Sequence, residues 1–311
     1  MFLQAPAYVL GEKATSHLGL PGLAGRAREM RMLPDPSLWG WGSVHRTDRP
    51  IEELAAAAGR ATLEAAALDP SEVDALVLCS TRFPGDADTH GGLVSAVLTP
   101  LGLDRAACYG VTLNRCANLL VALRLASALV AGGAHRRVLV ATADRIDDEA
   151  ARITDFALFS DGAAACLISA DRLPGPGYRL LGTAQAQDPA ALGRSNELSV
   201  DLARQVNAEL LTPLGLAPAD LQQVFPANLY RPVTMLKERQ TGFAERQLYT
   251  ANIERVAHCF AADPLINLVD HAAAGGLGDG GYGLLAVSVP GARAAALLQQ
   301  LPDDSEPIGG R

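Results

Sequence analysis

Cys116 stands after Asn114-Arg115 and opens the apolar run CANLLVALRLASALVAGG. A cysteine at the start of a helix meets free N–H groups and the positive end of the helix dipole. Both favour thiolate over thiol, and Arg115 adds positive potential. Such a thiolate is a competent nucleophile toward thioesters. Position alone is equally compatible with a buried, inert thiol, which is how most free cysteines behave. Asp144 and the pair Asp147-Asp148 form a carboxylate cluster after an apolar run and read as a solvated loop. No GxSxG elbow, P-loop, HExxH or Rossmann glycine fingerprint occurs.

The 311 residues, 49% of them hydrophobic, are enough to bury one large α/β core or two fused halves. A net charge of −8 without any long basic run argues against a nucleic-acid or anionic-membrane surface. Five cysteines without CxxC spacing suggest neither a disulfide framework nor a zinc site. They favour a reducing compartment. No apolar run reaches the ~18–20 residues of a membrane span, and the first residues lack a signal-peptide pattern. A cytoplasmic protein without metal or cofactor is therefore expected.

The elements that must position Cys116 follow from periodicity. Residues 51–68 carry strong helix formers with an apolar face at helical spacing, and Asp69-Pro70 stops them. Strands are predicted over 74–80, over 136–144 and after the turn in FSDGAAACLIS (159–169), with helices over 91–101 and 199–211. The helix after Cys116 ends at Gly132-Gly133, where glycine supplies a left-handed cap. LDPSEVDALVLCS (68–80) is echoed by LAPADLQQVFPAN (216–228). ALVAGG (128–133) is echoed by HAAAGG (271–276), and Cys116 and Cys259 each lie fifteen residues before an Ala-Gly-Gly. A repeat of ~150 residues implies two copies of one helix–strand unit. Leu173–Arg179, LPGPGYR, is the natural connector, dividing the chain into 1–173 and 174–311.

The stretch ARITDFALFSDGAAA (151–165) keeps Arg152, Thr154, Phe159, Asp161, Gly162 and Ala163 without gaps. Together with Cys116, this resembles the β-ketoacyl-ACP synthase III family of the thiolase superfamily, from about Ile51 to Leu298. The resemblance implies an α/β thiolase-like fold, two pseudo-repeated halves in five αβαβα layers, and a homodimer built along a strand edge, or a heterodimer with a homologue. It also implies Cys116 as acyl-accepting nucleophile, acyl-CoA or acyl carrier protein as partner, and Arg152 near the pantetheine entrance holding a phosphate.

The departures from the family matter equally. Its His-Gln-Ala-Asn element corresponds to Phe225-Pro226-Ala227-Asn228, which keeps Asn228 and replaces the histidine by Phe225. The asparagine of its Gly-Asn-x-Ser element corresponds to His258, and by the repeat His258 would occupy the second half's helix start, with Cys259 mirroring Cys116. At the terminal turn, Ser288-Val289-Pro290-Gly291, Pro290 replaces the glycine that offers an N–H to the thioester, unless Gly291 shifts into that role. Without the His–Asn pair, oxyanion stabilisation for decarboxylative condensation is weakened; losing one such donor typically costs ~10²–10³ in rate. A histidine beside a thiolate is still sufficient for acyl transfer to a hydroxyl, amine or thiol. His258 satisfied by backbone in the core is the competing reading. The expectation is an acyltransferase of polyketide or fatty-acid-derived metabolism. A non-catalytic partner subunit and a thioesterase are the alternatives.

Overall fold

The structure is a computed structural model and describes residues 1–175, 177–193 and 199–302. Its strands are β1 (Phe2–Leu10), β2 (Lys13–Ser16), β3 (Ser43–Arg46), β4 (Ala75–Cys79), β5 (Ala107–Val111), β6 (Arg137–Asp144), β7 (Gly162–Ser169), β8 (Gly177–Gln187), β9 (Gln223–Pro226), β10 (Tyr282–Val289) and β11 (Ala292–Gln300). β2 and β3 form a small antiparallel two-stranded sheet, and the rest make one sheet in the order β5-β4-β6-β7-β1-β8-β11-β10-β9. Strands β4 and β7 are buried along their whole length and β6 after Arg137, which is why they read as continuous apolar runs without alternation.

The expected repeat is visible in that order. Inside the extra edge strand β5, the first half runs inward as β4-β6-β7-β1, and the second runs inward as β9-β10-β11-β8. In each half the first pair is parallel and the next two are antiparallel. The halves meet where β1 pairs with β8, Phe2 opposite Arg179. The N-terminal strand, which carried no distinct sequence signal, thus sits at the centre of the sheet. The connector expected to divide the halves, 173–179, runs into β8, whose first residues are Gly177, Tyr178 and Arg179, and its Pro176 is outside the described residues.

Helix Ile51–Ala65 covers the outer face of the first half, packing on β7, β1 and β6, and helix Val200–Leu211 covers that of the second, packing on β8 and β11. Helices Asn118–Ala131 and Asp263–Ala273 lie between the two halves and touch strands of both. The result is the five-layer α/β arrangement expected. Leu119, Leu120, Leu123, Leu265, Ile266 and Leu268 from the two central helices share one buried cluster with residues of β4, β6, β10 and β11. Burying such side chains supplies about 1.5–3 kcal/mol each, which fixes the central helices and whatever stands at their starts. Gly133 has φ 72, the left-handed cap expected after the first of them.

Candidate active site

Each central helix is preceded by a single tight turn, Arg115–Ala117 in the first half and Phe260–Ala262 in the second. Both turns begin on a residue with φ 52, Arg115 and Phe260, left-handed values that non-glycine residues rarely adopt. The helices then open on Asn118 and Asp263. This register corrects the expected equivalence: Cys116 corresponds to Ala261, not to Cys259, and the second helix start belongs to Asp263, not to His258. The mismatch arises because the first central helix is fourteen residues long and the second eleven, so counting from their C-terminal glycines slips the alignment.

His258 instead lies in the loop ahead of that turn. Its backbone is locked to the signature segment, its N–H donating to Leu158 O (2.9 Å) and its carbonyl accepting from Ser160 N (2.9 Å). The imidazole is fully buried beside the rings of Phe159 and Phe260, with centroids 4.9 and 5.9 Å away. Nε2 stands 3.2 Å from Cys116 Sγ, and Nδ1 is hydrogen-bonded to Asp263 Oδ2. The same carboxylate accepts Asn228 N at Oδ2 (2.6 Å) and Cys259 N at Oδ1 (2.7 Å). Asp263 was not foreseen; the signal was present in its position after the Gly-Asn-x-Ser counterpart, but an aspartate at a helix start reads as an ordinary cap.

Burial alone would lower the pKa of His258. Asp263 and Cys116 outweigh that penalty, by charge and by hydrogen bond, and raise it to about 10. At neutral pH the ring is therefore an imidazolium facing the Cys116 sulfur. Burial raises Cys79 to about 12 and moves Cys166 and Cys259 upward, so these thiols stay protonated.

Cys116 is half-buried and opens with His258 onto a cavity of about 440 Å³. Phe156, Leu229, Val233 and Val289 give it apolar walls, and Arg115 and Asp155 stand exposed where it opens. Lys237 and Ser288 also line it. Lys237 belongs to helix Arg231–Arg239 and is 4% exposed, beside a buried Glu238–Arg293 pair. Arg293 holds both Glu238 oxygens, Nη1 to Oε1 at 2.8 Å and Nη2 to Oε2 at 3.1 Å. Burial pushes Glu238 up, but Arg293 and Lys237 prevail and hold it at about 2. Burial pulls Lys237 down, with Glu238 opposing. No sequence signal pointed to Lys237.

The remaining expected site residues stand elsewhere. Asn228 is buried, with Nδ2 donating to Ala257 O (3.1 Å) and Oδ1 accepting from Asn267 Nδ2 (3.0 Å). Its amide is committed to the scaffold and is not among the cavity-lining residues, so its contact with the site is the backbone N–H given to Asp263. Phe225 is fully buried in β9 against Tyr249 and His271, with centroids 6.2 and 5.4 Å away, and does not line the cavity either. Pro290 does line it and brings no N–H. Gly291, at φ 73, forms with Pro290 the two-residue turn between β10 and β11 and packs on the 188–192 loop. A Cβ there would come within 2.6 Å of Leu192 N, so the glycine is required by the turn and its neighbour.

Arg152 departs furthest from expectation. It is 2% exposed and forms a fork with Asp161, Nη1 to Oδ1 at 2.9 Å and Nη2 to Oδ2 at 2.8 Å, while Nε donates to Glu149 (2.6 Å). Asp161 also accepts Thr47 N and Ile146 N. A guanidinium so occupied has no donors facing a phosphate. The Arg–Asp signature is a brace for the segment that holds His258. Asp144, expected in a solvated loop, is buried as well, and burial raises its carboxyl to about 7 despite bonds from Thr81 N and Ser80 Oγ to one oxygen. No group of His, Cys, Asp and Glu suited to a metal ion occurs among the described residues.

A profile of the 3-oxoacyl-[acyl-carrier-protein (ACP)] synthase III family matches residues 112–189. A β-ketoacyl-[acyl-carrier-protein] synthase III of Synechococcus sp. strain WH7803 is 31% identical over 262 residues, 82% of this chain and 69% of that protein. The protein of the same description from Synechococcus elongatus is 32% identical over 212 residues, and the match spans 66% of this chain and 58% of the relative's length. Among solved structures, the acyltransferase ChlB3 superposes with a TM-score of 0.81 at 18% identity, over 96% of this chain and 97% of that one, which establishes a shared fold.

Proposed function

The chain belongs to the β-ketoacyl-ACP synthase III family, and from that premise we propose that it is an acyltransferase working through an acyl-Cys116 intermediate, without decarboxylative condensation. One observation carries the reading: Cys116, His258 and Asp263 are joined in a single hydrogen-bonded chain at the wall of an apolar cavity.

The proposed cycle balances on these three residues. Cys116 thiolate attacks the thioester carbonyl of an acyl-CoA or acyl carrier protein. The bond to the leaving sulfur breaks, and the His258 imidazolium gives that sulfur its proton. His258 is then neutral, with Nδ1–H held by Asp263, and Nε2 takes the proton of an incoming hydroxyl, amine or thiol. The new acyl bond forms as the Cys116–acyl bond breaks, and the thiolate–imidazolium pair returns. Decarboxylative condensation instead needs two donors on a malonyl thioester carbonyl. Phe225 and the committed amide of Asn228 supply neither, which favours direct transfer. The name of ChlB3 as an acyltransferase agrees with this reading.

The two halves act as one unit in this proposal, because Cys116 comes from the first and His258 and Asp263 from the second. The half-exposed edge strand β5 offers unpaired backbone to a second copy, supporting a homodimer along that edge. The placement is in polyketide or fatty-acid-derived metabolite assembly in the cytoplasm. Intact-mass measurement after incubation with a panel of acyl-CoAs and acyl carrier proteins tests the proposal. A single acyl addition absent from Cys116→Ala is expected, and no adduct from any donor would overturn it.

A further inference from the structure

Lys237 is a cation built into the cavity wall that shares the carboxylate of Glu238 with Arg293. Its Nζ lies 3.1 Å from Glu238 Oε1 but lacks the alignment of a hydrogen bond, as neighbours in sequence on a helix do not face one another. Glu238 is already neutralised by the two-pronged contact with Arg293, which also donates to Ser288 Oγ (3.1 Å). The fully buried cluster thus holds two cations for one carboxylate. An ammonium out of water that must share one carboxylate with a guanidinium is costly, and the cost is relieved when an anion enters. The surrounding walls are Phe156, Leu229, Val233 and Val289, so none of them can be that anion. Asp155, the carboxylate among the lining residues, is exposed. Cys116 and Lys237 line the same cavity.

We propose that Lys237 is a specificity residue that receives a free carboxylate of the substrate inside the cavity shared with Cys116. The inference rests on the acyl-enzyme reading above and names its substrate class. The carboxylate belongs either to the acyl donor, as a dicarboxylic half-thioester, or to the acceptor, as a hydroxy or amino acid. Both place the anion in the one cavity where Cys116 and His258 stand, and Ser288 adds a hydroxyl beside it.

Two arms separate the sources. The first measures Cys116 acylation by succinyl- and glutaryl-CoA against valeryl- and hexanoyl-CoA, neutral donors of matched length. The second loads Cys116 with a neutral acyl group and follows its discharge by hydroxy and amino acids against their amides. A preference of roughly ten- to a hundredfold for the carboxylate is expected in one arm, the worth of one charge-assisted hydrogen bond. Lys237→Met should collapse that ratio toward one. The wild-type ratios stand independently of how well the variant folds. Neutral donors that label Cys116, with no carboxylate preference in either arm, would overturn this inference and leave the acyl-enzyme reading intact. A preference that survives Lys237→Met would overturn it too. If no thioester labels Cys116, the underlying reading falls and this one falls with it.

Discussion

Asn118 and Asp263 occupy the same place in the two halves, and each accepts through Oδ1 the backbone N–H of the residue four positions earlier, Asn114 at 2.9 Å and Cys259 at 2.7 Å. The second polar atom then distinguishes them. Asn118 Nδ2 donates to Ser80 O at the end of β4, whereas Asp263 Oδ2 accepts from Asn228 after β9 and from His258. A tie to the preceding turn in one half has become, in the other, the group that orients and charges the histidine.

Asp263→Asn should therefore keep the bond from Cys259 N and lose the charge. Turnover is expected to fall roughly 10²–10⁴-fold. The wild-type histidine, raised to about 10 from an ordinary 6.5, contributes stability that is complete below pH 6.5 and is lost as pH rises through 10. Denaturant unfolding across that window should show the decline in the wild type and a shallower one in Asp263→Asn. An equal slope in both would refute the assignment.

Asp144 carries the reverse signature for a carboxyl. Its pKa is raised from 3.8 to about 7, so the folded state holds the proton longer, and stability falls as pH climbs between those values. Asp144→Asn should flatten that dependence. At pH 8 we expect a gain on the order of 1 kcal/mol, read as about 2 °C in Tm.

Arg152→Met should act on stability, not on phosphate recognition. Removing one partner of a buried pair leaves Asp161 uncompensated and costs roughly 3–5 kcal/mol. Equilibrium unfolding measures this, and a selective rise in KM for CoA thioesters with unchanged stability would contradict it.

Phe225→His restores the residue type that the family's second element carries, yet it should not restore condensation. The side chain points into the packing around Tyr249 and His271, away from the cavity. Expected outcomes are no β-ketoacyl product from malonyl thioesters and a loss of about 1–3 kcal/mol for a polar group in that core.

The sequence by itself determined what depends on neighbours along the chain. The helical run after Cys116, the apolar strands over 74–80 and 136–144, the Gly133 cap and the Arg152–Ala163 signature were all legible, because periodicity and turn chemistry are local. The repeat was legible too, though its register was not, since the two central helices differ in length. Tertiary structure decided the rest. Pairing His258 with Cys116 across 142 residues, turning Arg152 inward onto Asp161, and burying Lys237 beside Arg293 all depend on contacts between distant segments. Charge and hydrogen-bond partners are set by what packing brings within about 3 Å, and no spacing along the chain encodes that distance.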